Sequence, residues 1–262
     1  MKTFFELNKK FNKIKNNGWI LSQGNGNGAG GITFEKLLNI QTNNFEIPDF
    51  KDIELKVKYS NKEKYISLFN ATPDSFLYEI KRINDEYGYS DKDFPNYNIF
   101  QTSVYSKLKI NEFNNLYFKL YINYKENVIE LNVYDSNLNL IDNKTSWSFN
   151  MLKEKLERKL NKIAIIYAEK TIINGKLYFK YNTIKYYKLK SFNNFLELIN
   201  KNKIRVCFSI GIYKSGKKFG QLYDHGTKFC INKYEIGKLF KEISIDWYCF
   251  LILNIKKKFL FS

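Results

Sequence analysis

The chain has 262 residues, 44% of them hydrophobic, and a formal net charge of +17. That length and apolar content suffice to bury a core, which excludes a disordered chain, and the charge points to a polyanionic partner, nucleic acid above all. Three dispersed cysteines (Cys207, Cys230, Cys249) with no CxxC pair and a single histidine, His225, exclude a zinc finger, a Cys/His zinc centre and a disulfide scaffold, and fit a reducing cytoplasm.

The opening MKTFFELNKKFNK has no apolar signal core, and its apolar residues at 4, 5, 7, 11 and 14 predict a helix over Phe4–Asn17. GWILSQ follows as a weak strand. The stretch SQGNGNGAGGITFEKLLN then packs five glycines into eight residues ahead of a helix predicted over Thr33–Leu38, with Thr33 as its N-cap. A glycine loop entering a helix is a common phosphate cradle. A nucleotide site nevertheless needs GxxxxGK[ST], and this loop ends GGIT with no lysine in place, so a flexible loop is the better reading. Strands are predicted at Glu46–Phe50, Asp52–Lys58 and Lys64–Phe69. A helix over Ser75–Tyr87 follows, with Phe76, Leu77, Ile80 and Ile83 on one face.

From Asn98 to Ile141 the period becomes two. Tyr117–Tyr124 and Val128–Asp135 flank a Lys125-Glu126-Asn127 turn as an antiparallel hairpin. A helix is predicted over Trp147–Asn161, then a strand over Ile163–Thr171, and Asn174-Gly175 turns that strand into KLYFKYN. A helix at Phe192–Asn200, strands at Ile204–Tyr213 and Thr227–Ile231, and a helix at Tyr234–Ile243 complete the pattern. The apolar run Trp247–Ile255 is too short to span a bilayer and reads as a buried last strand. The fold class is mixed α/β (α+β), largely antiparallel, with one helix crossover. A soluble, cytoplasmic protein with no membrane partner is expected.

The stretch that carries chemistry is IPDFKDIELK, Ile47–Lys56. Side chains alternate along a strand, so Glu54 and Lys56 share a face while Leu55 faces the core. A short turn would bring the carboxylate of Asp49 against that of Glu54. Two adjacent carboxylates call for a cation, and oxygen ligands with open positions suit Mg²⁺. A neighbouring lysine orients the attacking water and offsets charge on a pentavalent phosphate. Both acids sit among Ile47, Phe50, Ile53, Leu55 and Val57, where carboxylates need a reason to exist.

Pro48-Asp49 followed by Glu54-Leu55-Lys56 is the pattern of the PD-(D/E)xK nucleases. The wider segment resembles the MvaI/BcnI type II restriction endonucleases, relatives of the mismatch-repair nickase MutH. GWI, the glycine loop, GITFEKLLNI, Asn43-Asn44, PDF, IELK, ISLFN and Pro73 follow that family's order and spacing. AIIYAEKT with NGKLYFKY, and LYDHGTKFCI (Leu222–Ile231), resemble its later segments. The resemblance implies a restriction-endonuclease-like core sheet flanked by helices, with a β-rich DNA-recognition lobe beside it. It implies Asp49 and Glu54 as ligands of Mg²⁺, Lys56 as the catalytic lysine and Glu35 as a supporting helix carboxylate. It places Gly28 and Gly30 of the glycine loop, and His225, Thr227 and Lys228 of the HGT segment, at the DNA.

The activity so implied is Mg²⁺-dependent, sequence-specific hydrolysis of double-stranded DNA by a monomer, leaving 5′-phosphate and 3′-hydroxyl ends. A short C/G-flanked site such as CCWGG or CCSGG is expected, as is a cognate DNA methyltransferase as functional partner. The catalytic lobe is expected over about residues 1–95 and 147–200, and the recognition lobe over about 96–146 and 201–262. The rivals are a MutH-like nickase and a DNA-binding protein that has lost catalysis. Two departures bear on base preference: Val57-Lys58-Tyr59-Ser60 follows ELK where the family tends to carry arginine and serine, and Cys230 stands where it usually has arginine. Arginine reads guanine bidentately, which lysine does less well.

Overall fold

The computed structural model describes residues 1–40, 47–59, 64–75 and 78–245. In chain order its first elements are α1 (Lys2–Asn16), β1 (Ile20–Leu21), α2 (Ala29–Leu37), β2 (Glu54–Tyr59), β3 (Tyr65–Asn70), α3 (Glu79–Tyr87), β4 (Tyr89–Ser90) and β5 (Asn98–Val104). Next come β6 (Lys109–Asn111), β7 (Leu116–Asn123), β8 (Val128–Tyr134), β9 (Leu140–Asp142), β10 (Ser146–Ser148) and α4 (Phe149–Leu160). The remainder is β11 (Lys162–Ile173), β12 (Lys176–Leu189), α5 (Phe192–Asn200), β13 (Ile204–Ile212), β14 (Leu222–Asp224), β15 (Lys228–Asn232), α6 (Ile236–Leu239) and β16 (Phe240–Ile243). The mixed α/β class read from the sequence is the one observed. Among the described residues no helix is long and apolar enough to cross a membrane.

The chain divides into two compact units. The first comprises Met1–Glu63, Glu157–Lys190 and Phe240–Ser262, and the second Lys64–Leu156 and Ser191–Leu239. Strand pairing sets these units. β3 pairs with β15 and so belongs with the second unit, whereas β16 pairs with β12 and belongs with the first.

In the first unit, β11 and β12 form a long antiparallel hairpin about Asn174 and Gly175, both at positive φ (49° and 72°). These are the residues that tolerate such a turn, and the expectation of a tight hairpin holds. β11 carries β2 in parallel on its other edge, while β1 and β16 pair with different parts of β12. One core joins Phe4, Leu7, Phe11 and Ile14 of α1 to Phe34, Ile53, Leu55, Ala164, Ile166, Phe179 and Tyr181. The i, i+3, i+4 spacing of α1 is what buries that one stripe.

The second unit holds two sheets, β3-β15-β13-β5-β4 with β14 on β13, and β10-β8-β7-β6 with β9 on β8. The predicted hairpin around Lys125–Asn127 is β7–β8. The predicted α5 is found residue for residue, with the Ser191 hydroxyl accepting the Asn194 N–H at 3.1 Å as its cap. Trp147 is fully buried and donates its indole N–H to the Ala71 carbonyl at 2.9 Å; it lies in β10, ahead of the helix it was expected to open.

Other expectations need correction. α2 begins at Ala29, not after Thr33, because Ile32 N–H already reaches the Gly28 carbonyl at 3.1 Å. Thr33 is therefore inside the helix; its hydroxyl donates back to the Ala29 carbonyl at 2.7 Å and accepts the Gln23 N–H at 2.9 Å. The helix expected over Tyr234–Ile243 is short, ending at Leu239, and Phe240–Ile243 turns to strand because the edge of β12 offers free backbone partners. α3 starts at Glu79, after Tyr78 at φ 66°. Asn43-Asn44, Phe76, Leu77, Cys249 and the expected last strand Trp247–Ile255 lie outside the described residues.

Candidate active site

Phe50 and Ile53 exchange both backbone hydrogen bonds at 2.9 Å around a two-residue turn, Lys51-Asp52, with Lys51 at φ 58°. Both flanking side chains are buried in the core of the first unit, which pins the turn. The strand expected at Glu46–Phe50 reduces, within the described residues, to this single bridge. The turn delivers Asp49 to the start of β2, where its Oδ2 accepts the Leu55 N–H at 2.9 Å.

Along β2, Leu55 faces the core while Glu54 and Lys56 share the other side, as the alternation required. Lys56 Nζ lies 2.8 Å from Glu54 Oε1. Glu54 is buried, and its Oε2 has no hydrogen-bond partner. The parallel register sets Ile163 of β11 beside Glu54. The end of α4 therefore arrives at the same place, and Lys159 Nζ stands 3.7 Å from Glu54 Oε1. Sequence pattern did not reveal Lys159, because nothing local encodes a parallel register.

Glu35, on α2, is half-buried within electrostatic reach of Asp49, Glu54, Lys56 and Lys159. Burial, then the negative charges of Asp49 and Glu54, push its carboxyl up to about 7. Burial also raises Glu54, with Asp49 adding to it and Lys56 and Lys159 opposing. Among the described residues no three His, Cys, Asp or Glu side chains converge as a metal cluster, so Glu35 is a charged neighbour of the Asp49–Glu54 pair and not a third ligand in this geometry.

One consequence is measurable in protein free of divalent cations. A carboxyl whose folded pKa is raised from 4.5 contributes stability that is full below that value and is lost as pH rises through about 7. Glu35→Gln is expected to flatten that loss between the two values, with solvent screening moderating its size. Unfolding followed across that pH window in both proteins checks it; identical slopes would count against the placement of Glu35.

The remaining expected site residues divide. Gly28 is exposed, and a Cβ there would make an ordinary contact with Ile32 Cδ1 at 3.9 Å. Gly30 is buried: a Cβ there would stand 2.2 Å from the Tyr59 hydroxyl, which accepts the Gly30 N–H at 3.1 Å, and Tyr181 donates to its carbonyl at 2.8 Å. Its glycine is required by packing inside the unit. Thr227, in the second unit, is buried. It is 1% exposed, and its N–H and hydroxyl both go to Asp224 Oδ2, at 3.2 and 3.4 Å. His225 is exposed, with its ring 4.2 Å from that of Tyr223, and Lys228 is half-buried on β15.

Lys228 shares a sheet face with Cys207 and Ser103, and Cys230 shares it with Arg205 and Ser67. Arg205 stacks 3.6 Å over the Tyr65 ring and donates to the Tyr105 hydroxyl at 2.8 Å. Its alternation with buried Val206 and Phe208 was legible in the sequence; its neighbours across the sheet were not.

A carboxylate pair, a paired lysine and a helix carboxylate at the start of a core strand form the arrangement of a metal-dependent phosphodiesterase. The family model for the MvaI/BcnI restriction endonuclease family matches residues 8–240. The chain belongs to the MvaI/BcnI restriction endonuclease family. Its activity class is accordingly that of a type II restriction endonuclease, a site-specific deoxyribonuclease. It is similar to the restriction endonuclease MvaI in complex with its cognate DNA substrate, at 31% identity and a TM-score of 0.86, covering 93% of this chain and 98% of that one. Against MvaI in the absence of DNA the identity is 28% and the TM-score 0.60, covering 93% and 97%. No curated protein matches the chain significantly. The resemblance read from Gly18 to Pro73 and from the HGT segment is thus the family's own.

Proposed function

We propose that this member of the MvaI/BcnI family is a Mg²⁺-dependent enzyme that cuts both strands of double-stranded DNA and leaves 5′-phosphate and 3′-hydroxyl ends. The observation that carries the reading is Glu54 Oε2, a buried carboxylate oxygen with no donor to satisfy it, beside a second carboxylate. Such an oxygen is costly to bury unless a cation meets it, so the residues present fit a divalent ion. Asp49 and Glu54 would hold it. Two carboxylates suit Mg²⁺, which fills its remaining positions with water and phosphate. When bound, the ion supplies Lewis-acid charge at a phosphoryl oxygen and acidifies water.

The protein's own part follows from the geometry. The Leu55 N–H fixes Asp49 through one oxygen and leaves the other free. Lys56 Nζ, already aligned on Glu54, orients the attacking water and offers its charge to the pentavalent phosphorus. Glu35 stands behind the pair as a third carboxyl within electrostatic reach of it. The first unit is thereby catalytic, and the second, with His225, Lys228 and Arg205, reads bases. The similarity to MvaI in complex with its cognate DNA substrate supports double-stranded DNA as the substrate here. A CCWGG- or CCSGG-like site rests on family resemblance, with guanine reading weakened where Cys230 replaces arginine. A monomer acting in the cytoplasm beside a cognate methyltransferase completes the proposal.

The test is to incubate the protein with Mg²⁺ and a fully sequenced plasmid and to sequence the product ends. Discrete double-strand ends at one recurring motif, absent with EDTA, are expected. Nicks alone would point to a MutH-like nickase, and bound but uncut DNA to an inactive binder.

A further inference from the structure

The two cysteines among the described residues lie together on one face of the β3-β15-β13-β5 sheet, within the second unit. Along β13, Val206, Phe208 and Ile210 are buried in the core, so the alternation turns Arg205 and Cys207 to the opposite, polar face. The register sets Cys207 between Ser103 of β5 and Lys228 of β15, and Cys230 between Arg205 of β13 and Ser67 of β3. Cys207 and Cys230 are thus diagonal neighbours across β13 and β15, with Arg205 and Lys228 at the other two corners. The Cys230 thiol donates to Cys207 Sγ, and the Ser103 hydroxyl lies 3.6 Å from that sulfur. The hydrogen bond from Cys230 lowers the Cys207 thiol from its ordinary value; burial opposes this, while Ser103, Arg205 and Lys228 add to it. Giving that bond raises Cys230. A cysteine kept for packing sits among apolar side chains and stays inert, whereas a reactive one sits beside cations.

We infer that Cys207 and Cys230 are a modification site for hydroperoxides, closing to a disulfide that weakens DNA binding. The effect on DNA rests on the reading of Arg205 and Lys228 as base readers; the cross-link does not. The Cys207 thiolate attacks one peroxide oxygen: an S–O bond forms, the O–O bond breaks, and hydroxide leaves to be protonated by solvent. Cys230 sulfur then attacks the sulfenic acid at sulfur. The S–S bond forms, the S–O bond breaks, and the departing hydroxide takes the Cys230 proton as a second water. Each sulfur gives up one electron, and the peroxide is reduced to water. A disulfide holds its Cα atoms within about 7 Å, closer than the usual diagonal spacing of about 7–8 Å. Closing it therefore draws β13 and β15 together along one diagonal and displaces the side chains on the other, Arg205 from its stack over Tyr65 included. The bulge where β15 meets β3, between Phe229 and Cys230, already interrupts that ladder and leaves Cys230 room to shift. A bond closed against such spacing is readily reopened by thiols.

The test treats the reduced, full-length protein with hydrogen peroxide, blocks the remaining thiols by alkylation and maps its peptides by mass spectrometry. A link between the peptides of Cys207 and Cys230, removed by dithiothreitol, is expected. Affinity in Ca²⁺ for a duplex carrying the site that the wild type cuts should fall about 10-fold or more on oxidation, the worth of one lost base contact. It should return on reduction. Cys207→Ser is expected to cut DNA as the reduced wild type does and to keep its affinity in peroxide. Oxidation of Cys207 that stops at a sulfenic or sulfinic acid would overturn the inference. So would a link to Cys249 in place of the expected one, a linked pair with unchanged DNA affinity, or a loss of affinity in peroxide that persists in Cys207→Ser. Failure of the nuclease reading shows separately, as a reduced protein that cuts no DNA; it removes the effect on DNA, and the peptide map alone then decides the cross-link.

Discussion

Asp49→Asn and Lys56→Ala are each expected to lower Mg²⁺-dependent cleavage by about 10³-fold or more while duplex binding in Ca²⁺ persists. The two substitutions act differently. Asparagine keeps a carbonyl oxygen to accept the Leu55 N–H, so the turn and the start of β2 are retained and only the ligand charge is lost. Removing the Lys56 ammonium deprives Glu54 of its close cation, leaving Lys159 at 3.7 Å. Burial already raises the Glu54 carboxyl, and the loss of Lys56 removes the charge that chiefly opposes that rise, so the variant loses its lysine and weakens its ligand at once. Cleavage rates under single-turnover conditions check both; unchanged cutting by either variant would sink the assignment of the centre.

Arg82→Ala is expected to cause the largest loss of stability. Arg82 of α3 lies between two buried acids, with Nη2 at 2.7 Å from Glu79 Oε1 and Nη1 at 3.0 Å from Asp142 Oδ2. Nη2 also donates to the Thr145 hydroxyl at 2.6 Å, and Tyr87 donates to Asp142 at 2.5 Å. Burial alone would raise Asp142, but hydrogen bonds from Tyr87, the Lys144 N–H and Arg82 hold it below the ordinary carboxylate range. Truncating the arginine strands both carboxylates without their countercharge, which costs about 3–5 kcal/mol. In a chain of this size that is a fall in Tm of roughly 10 °C. A calorimetric scan checks it, and a shift under about 2 °C would mean the network contributes little. The network lies within the second unit, so cleavage by the folded variant at permissive temperature should be retained.

What was legible in the sequence is what local chemistry encodes. Asn174-Gly175 announced its hairpin because few other residue pairs accept positive φ at both turn positions, and Ser191 with an apolar stripe announced α5. Asp49, Glu54 and Lys56 could be placed on one strand and turn because the alternation of β2 separates them from Leu55. The start of α2 was misplaced because Gly30 and Gly31 read as loop; only the side chains of Tyr59 and Phe179, distant in sequence, make a glycine necessary at Gly30. Thr227 carries no mark of burial in the sequence, although its N–H and hydroxyl turn back locally to Asp224, three residues earlier. Lys159 was invisible for the same reason as the unit boundaries. Each depends on which strands lie side by side, and composition and spacing do not carry that information.

The central claim is that Asp49 and Glu54 together hold a divalent cation at the scissile phosphate. Its most direct test is anomalous scattering from Mn²⁺ in crystals of the enzyme with the duplex it cuts. A peak is expected between the carboxylates of Asp49 and Glu54, adjoining a phosphate oxygen and lost in Asp49→Asn. A Mn²⁺ peak elsewhere on the chain, or none in crystals that contain bound DNA, would contradict it.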